Sequence, residues 1–376
     1  MSSVNPELRE RVTGALKGHI NTQMRTPDWH TMEWLNTRAS KVNFLEVPRD
    51  LEEPNQARII READFIQRLE ERRSVLLEAN PGREYEIQLD DQGDNSTGQL
   101  ALFEVSSEGK TRRMWDGRTV TLAQRGIYEE DGKTIVPIYP ISYTEWLACA
   151  NPEYTRGFRD AGLALPYAGI GVSVLMVTND GADRDDRTYG LIPLTRRGIE
   201  TPVYPGRLYS PGGGPKPGQT STEAILEEIV EETGLESGNH FNSDELFMLA
   251  LVADTKYDDS EHSRPELVAY LPVNTTFSEV ERIQYEKSVK KGERQEDVWG
   301  VVPVSAFTPN LARTIIYSGY EMCPPTEAGL AHLMLYQEMR REGIEEALKN
   351  METIMSRIRS FRRTPFVPPI ERLATL

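Results

Sequence analysis

Two cysteines in 376 residues, Cys149 and Cys323, leave no material for a disulfide framework or a cysteine-rich zinc cluster. The five histidines (His19, His30, His240, His262, His332) are scattered and suggest neither a triad nor a metal site. No apolar run approaches the roughly 20 residues that a membrane-spanning helix needs. The first thirty residues carry acids and no apolar signal core, so a cytoplasmic protein with no membrane partner is expected. Basic residues are in deficit, with 43 Lys and Arg against 59 Asp and Glu and a formal net charge of −16. Such a field repels phosphate chains and disfavours bulk nucleic-acid binding. The deficit is sharpest between Lys216 and Lys256, where no Lys or Arg occurs.

What is present reads as an ordinary mixture of helix and strand, long enough for two domains. The N-terminal region, 1–160, reads as α+β. Helical pieces are expected around Pro6–Leu16 and His30–Ala39. An amphipathic helix from Leu51 to Asn80 follows, ended by Pro81-Gly82. Strands are expected at Tyr85–Leu89, Leu100–Val105, Thr119–Ala123 and Thr134–Tyr139. A boundary near residue 160 separates these from a second unit, 161–325. That unit opens with the apolar run Ile170–Thr178, a buried strand, and continues with Tyr189–Thr195, Leu246–Ala253, Glu266–Val273 and Val298–Val304. Strands on both sides of a central helix, without regular βα alternation, imply a mixed sheet flanked by helices, an α/β/α sandwich. Residues 326–376 form a C-terminal helical segment bent near Gly343. Its apolar stripe suits packing against its own chain or a homodimer contact.

The chemistry concentrates between Gly212 and Leu235, GGGPKPGQTSTEAILEEIVEETGL. A Gly- and Pro-rich turn enters a short helix with acids at 223, 227, 228, 231 and 232. Like charges four residues apart on a helix repel, so Glu227–Glu231 and Glu228–Glu232 call for a neighbouring cation. On a helical wheel Ile225, Leu226, Ile229 and Val230 share the core-facing arc. Glu228, Glu231 and Glu232 share another, with only small Ala224 among them. Carboxylates at i, i+3 and i+4 can converge on a hard cation such as Mg²⁺. Ser221 or Thr222 is the expected N-cap and Gly234 the left-handed terminator.

These residues resemble the Nudix box, G-x5-E-x7-R-E-U-x-E-E-x-G-U, where U is a bulky aliphatic. Gly213, Glu228, Ile229, Glu231, Glu232, Gly234 and Leu235 fall in register, whereas Gln219 and Glu227 replace the pattern's first Glu and its Arg. The resemblance implies a Nudix fold with an N-terminal α+β extension and C-terminal helices. It also implies Mg²⁺ or Mn²⁺ as cofactor and cleavage of a diphosphate linkage in a nucleoside diphosphate derivative. Glu228, Glu231 and Glu232 would act as catalytic metal ligands, with the Gly213 carbonyl as a further ligand. Among nearby basic residues, Arg207 and Lys216 are best placed to grip a small-molecule nucleotide; Arg196 and Arg197 also lie close. Glu296 or Asp297 is a candidate general base outside the box. In the pattern the Arg orients the carboxylates, so a Glu at 227 adds repulsion, and Glu223 is a candidate substitute for the missing first acid. A Nudix-fold nucleotide-binding or regulatory protein with impaired catalysis is therefore the alternative reading. A protein whose interactions lie in residues 1–160 or the C-terminal helix is a third.

Overall fold

The computed structural model describes residues 29–48, 55–89, 190–197, 204–254, 264–291, 301–318 and 321–360. It also describes most of 100–142 and part of 156–180. The expected helix at Pro6–Leu16, Cys149, and the candidate bases Glu296 and Asp297 lie outside the described residues.

The central sheet has five strands in the order β1 (Trp29–Arg38), β13 (Phe247–Asp254), β14 (Arg264–Pro272), β9 (Gly171–Val177) and β12 (Gly212–Gly213). β14 and β9 run parallel and the other neighbours antiparallel, so the sheet is mixed as expected. Every residue of β9 is buried, because both faces of the sheet are covered. Leu175 and Val177 face one core with Trp29, Val268 and helix α5 (Pro324–Glu342), in which Ala328, Leu330, Ala331, Met334 and Leu335 are buried. Val172, Val174 and Met176 face a second core containing Ala224, Ile225 and Ile229 of helix α2 (Ser221–Thr233). The result is a helix–sheet–helix sandwich. Gly343 ends α5 at a φ of 78°, and α6 (Ile344–Ser360) starts beyond it.

His30–Ala39, expected to be helical, is instead the edge strand β1 against β13. Register shifts after Thr31 and Trp34, with Asn36 at a φ of 42°, break the two-residue alternation that would have marked it as a strand. The gain is burial of Trp29, Trp34 and Leu35, a tertiary term that overrides local propensity.

Strands from either side of residue 160 share one core. β2 (Val42–Glu46), β6 (Arg118–Leu122) and β8 (Lys133–Ser142) form a second sheet with β7 (Tyr128–Glu130) beside β8. Val42, Val120, Leu122, Val136 and Ile138 pack into the same cluster as the inner face of α2. A smaller unit joins helix α1 (Asn55–Ala79) to the sheet β3 (Glu84–Leu89), β4 (Leu100–Val105) and β5 (Thr111–Arg113) around Leu69, Tyr85 and Leu102. A further three-stranded sheet, β11 (Leu208–Tyr209), β10 (Leu191–Arg196) and β15 (Val301–Ser305), leads into the glycine turn. Helices α3 (Phe277–Lys291) and α4 (Thr308–Ser318) complete the described α-helices.

Candidate active site at the acidic helix

The Gly-rich turn is held by the sheet. Gly212 and Gly213 pair with Ser173 and Val172 of β9. A Cβ on Gly212 would lie 2.3 Å from the Val172 carbonyl oxygen, and one on Gly213 would lie 2.3 Å from Glu228 Oε1. Both positions demand the absence of a side chain, but the second does so because an acid occupies the space. The turn also leans on the N-terminal region: Gly218 N–H donates to Glu46 at 2.5 Å, and the Ser221 hydroxyl donates to the Val42 carbonyl at 2.7 Å.

Helix α2 is capped before either expected residue, Ser221 or Thr222. Thr220 is the N-cap, and Glu223 closes a capping box with it. Ser221 is buried against β2 instead. Glu223 therefore serves the helix end and does not replace the missing first acid of the box. Gly234 terminates the helix at a φ of 77°, in the left-handed region, as expected. No basic residue occupies the last turn. Lys287 of α3 supplies the cation, its ammonium donating to the carbonyls of Val230 and Glu231. Gln284 Nε2 donates to the Glu232 carbonyl at 3.2 Å. Two other expectations fail: Ala224 is buried in the core, and Val230 is 42% exposed.

The acids separate into different environments. Glu227 accepts from Lys216 Nζ at 2.6 Å and from Gln219 Nε2 at 2.5 Å, and the Lys216 ammonium holds its carboxyl below the usual range. Lys216 thus offsets part of the repulsion expected of a Glu here, while Glu227 still acts on Glu228 as a like charge. Gln219 and Glu227 bridge the turn to the helix with the polarity opposite to an acid–Arg pair. Lys216, expected to grip phosphate, is committed to this helix and also lies 3.9 Å from Glu231. Glu231 points outward, its side chain 60% exposed. Glu232 folds back onto the turn, accepting from the Tyr209 hydroxyl at 2.9 Å and from Gly212 N–H at 3.2 Å. Glu228 lies beneath Gly213, and burial, with Glu231 and Glu227 as like-charged neighbours, pushes its carboxyl up to about 7.

Arg207 does not join this group. Its guanidinium stacks over the Tyr204 ring, 5.1 Å from the centroid, and reaches the Met322 carbonyl at 3.4 Å. Among the described residues no three acids, histidines or cysteines converge in a formed ion site. The donor set nevertheless suits a hard cation. Glu228 is a desolvated oxygen ligand pressed by two carboxylates, and a bound cation would relieve that repulsion.

No family profile matches the chain, nor does any curated protein. Solved structures do show likeness. A Nudix hydrolase from Nitrosomonas europaea is 12% identical, with 43% of this chain and 86% of that one covered at a TM-score of 0.27. The MutT protein from Methanosarcina mazei is 15% identical, with 46% and 95% covered and a TM-score of 0.27. A Deinococcus radiodurans protein is also similar, at 18% identity with 55% and 91% covered and a TM-score of 0.31.

Contacts from outside the box had no sequence signal. Glu46, Val42 and Lys287 reach it from 56 to 179 positions away. Tyr209 was the accessible one. A phenol three residues before Gly212, on a strand entering an acid cluster, is placed to orient a carboxylate.

Proposed function

We propose that the protein is a Nudix-type hydrolase that cleaves a diphosphate linkage in a nucleoside diphosphate derivative, using Mg²⁺ or Mn²⁺ at the acidic helix. The observation that carries this reading is Glu228, a carboxyl buried under the glycine turn between two other carboxylates and pushed up to about 7. Maintaining such a group costs stability, which is the usual mark of a functional site. Glu228, Glu231 and Glu232 would hold the ion, with the Gly213 carbonyl as a further ligand. A divalent ion there would neutralise diphosphate charge and lower the pKa of a bound water.

The remaining roles belong to the chain. Tyr209 and the Gly212 N–H orient Glu232, while Lys216 and Gln219 hold Glu227 away from the acid face. One of the carboxylates of Glu228, Glu231 and Glu232 would assist deprotonation of the attacking water. The test uses purified protein with Mg²⁺ or Mn²⁺ and a panel of nucleoside diphosphate derivatives. Phosphate release should require the metal and be lost in Glu228→Gln. Release that persists in that variant, or that ignores the metal, refutes the reading.

A second reading, a Nudix-fold nucleotide-binding module without turnover, is favoured by the hydrogen bonds that hold Glu232 to Tyr209 and Gly212. Under it, nucleotides raise the melting temperature without being cleaved, and Tyr209→Phe, by releasing Glu232, restores some metal-dependent release.

A further inference from the structure

Gly212 and Gly213, which lie against Glu232 and Glu228, also border a second polar site. Val172, Gly212 and Gly213 form one wall of a cavity of about 40 Å³, and Arg197, Arg264 and Glu266 supply its charged lining. Tyr204 and Tyr209 also line it, as do Cys323 and Thr326 at the start of α5. Arg197 follows the last residue of β10, whereas Arg264 and Glu266 lie on β14. The three come together because β14 lies beside β9 and β12 pairs with the other edge of β9.

The electrostatics are net positive. Arg197, Arg207 and Arg264 all act on the Cys323 thiol, with Glu266 the opposing acid. Burial pushes Glu266 above the usual carboxylate range, against the pull of Arg264 and Arg197, so a single acid faces the two guanidiniums that line the cavity. Burial likewise pushes the Cys323 thiol up to about 12, which removes it as a nucleophile. Two guanidinium forks suit a tetrahedral oxyanion, which they can engage through paired N–H donors.

Size narrows the guest. A water needs roughly 10–15 Å³ by this measure, so about three would fill the cavity. Drug-sized ligands occupy several hundred Å³. A phosphate group fits and a nucleobase does not.

We propose that Arg197 and Arg264 form a phosphate-group subsite, taking a phosphoryl group of the substrate other than the one attacked at the acidic helix. Tyr209 connects the two sites: the Arg197 guanidinium lies over its ring, 4.9 Å from the centroid, and its hydroxyl holds Glu232. The subsite rests on the hydrolase reading for its place in a reaction, but its affinity for phosphate stands apart from turnover. It selects substrates that carry a phosphate beyond the scissile linkage.

The test is calorimetric titration of the full chain with inorganic phosphate, without divalent metal, on wild type, Arg197→Gln, Arg264→Gln and Glu228→Gln. Each Arg variant should weaken phosphate about tenfold or more, the usual scale for a lost charge-assisted hydrogen bond. Glu228→Gln should bind phosphate as well as wild type does. Melting without phosphate checks folding. Should Arg264→Gln not fold, Arg197→Gln decides alone, because Arg197 lies outside the strand ladders. Unchanged affinity in a folded Arg197→Gln overturns the subsite. So does equal loss in Glu228→Gln, which would place the anion at the helix. Failure of turnover with phosphate binding intact sinks the hydrolase reading and spares the subsite.

Discussion

Adjacent glycines in the turn should fail in different ways when given a methyl group. In Gly212→Ala the new Cβ would lie 2.3 Å from the Val172 carbonyl oxygen and 2.8 Å from the Ser173 Cα. Both obstacles are backbone, so β12 must move away from β9. The movement loosens the short β9–β12 ladder and the 3.2 Å bond from Gly212 N–H to Glu232. With about 1 kcal/mol for a neutral hydrogen bond and about 2 kcal/mol for one to a carboxylate, the loss is on the order of 3 kcal/mol. In Gly213→Ala the obstacle is the end of the Glu228 side chain, with Oε1 at 2.3 Å and Cδ at 2.6 Å. That carboxyl can swing out, and leaving a buried place between two like charges offsets part of the strain. The stability change should stay within about 1 kcal/mol. The carboxyl would no longer sit where the acid face needs it, so metal-dependent turnover should fall at least about a hundredfold, an effect of about 3 kcal/mol on the barrier. Urea unfolding measures the first quantity and phosphate release the second. Equal destabilisation of the two variants, or full activity in Gly213→Ala, would refute the assignment of Glu228 to the space beneath the turn.

Two further outcomes follow from the same geometry. The folded state holds the Glu228 proton more tightly than the unfolded chain, with a pKa of about 7 against the ordinary glutamate value of 4.5. Its contribution to stability is therefore full below about pH 4.5 and is lost as pH rises to about 7. The loss is about 2 kcal/mol after allowance for solvent screening. Urea unfolding across this range should show the decline in wild type and not in Glu228→Gln, and parallel curves would count against it. The shared core of β2, β6, β8 and α2 leads to a second expectation, that a fragment beginning at residue 161 melts well below the full chain. Such a fragment loses the burial of Leu35, Val42, Val120, Leu122, Val136 and Ile138, each worth about 1.5–3 kcal/mol, and bares the apolar face that they cover. A fragment with a sharp near-native transition in calorimetry would instead support an independent domain at 161–325.

Much of the frame was readable from spacing alone. The all-apolar run of β9, the alternating strands β3 and β4, the bend at Gly343 and the left-handed stop at Gly234 are each set by local chemistry, and the structure realises them. The register of Gly213, Glu228, Glu231 and Glu232 likewise depends only on helical periodicity and on the length of the turn. Periodicity says which side chains share a face. It cannot say what meets that face. Glu227 was read as a source of repulsion because its partner Lys216 is eleven residues away across a turn whose path local rules do not define. Strand β1 was read as helix because its pairing with β13 joins residues more than 200 positions apart and its bulges erase the alternation. The Arg197–Arg264 cavity exists only because the order of strands in the sheet brings β14 and the residue after β10 to the turn. The sequence by itself determined a glycine turn feeding an acidic helix within a mixed sheet. Tertiary structure decided which acid is buried, which is neutralised and which is tied down, because burial and long-range pairing depend on neighbours that no local pattern encodes.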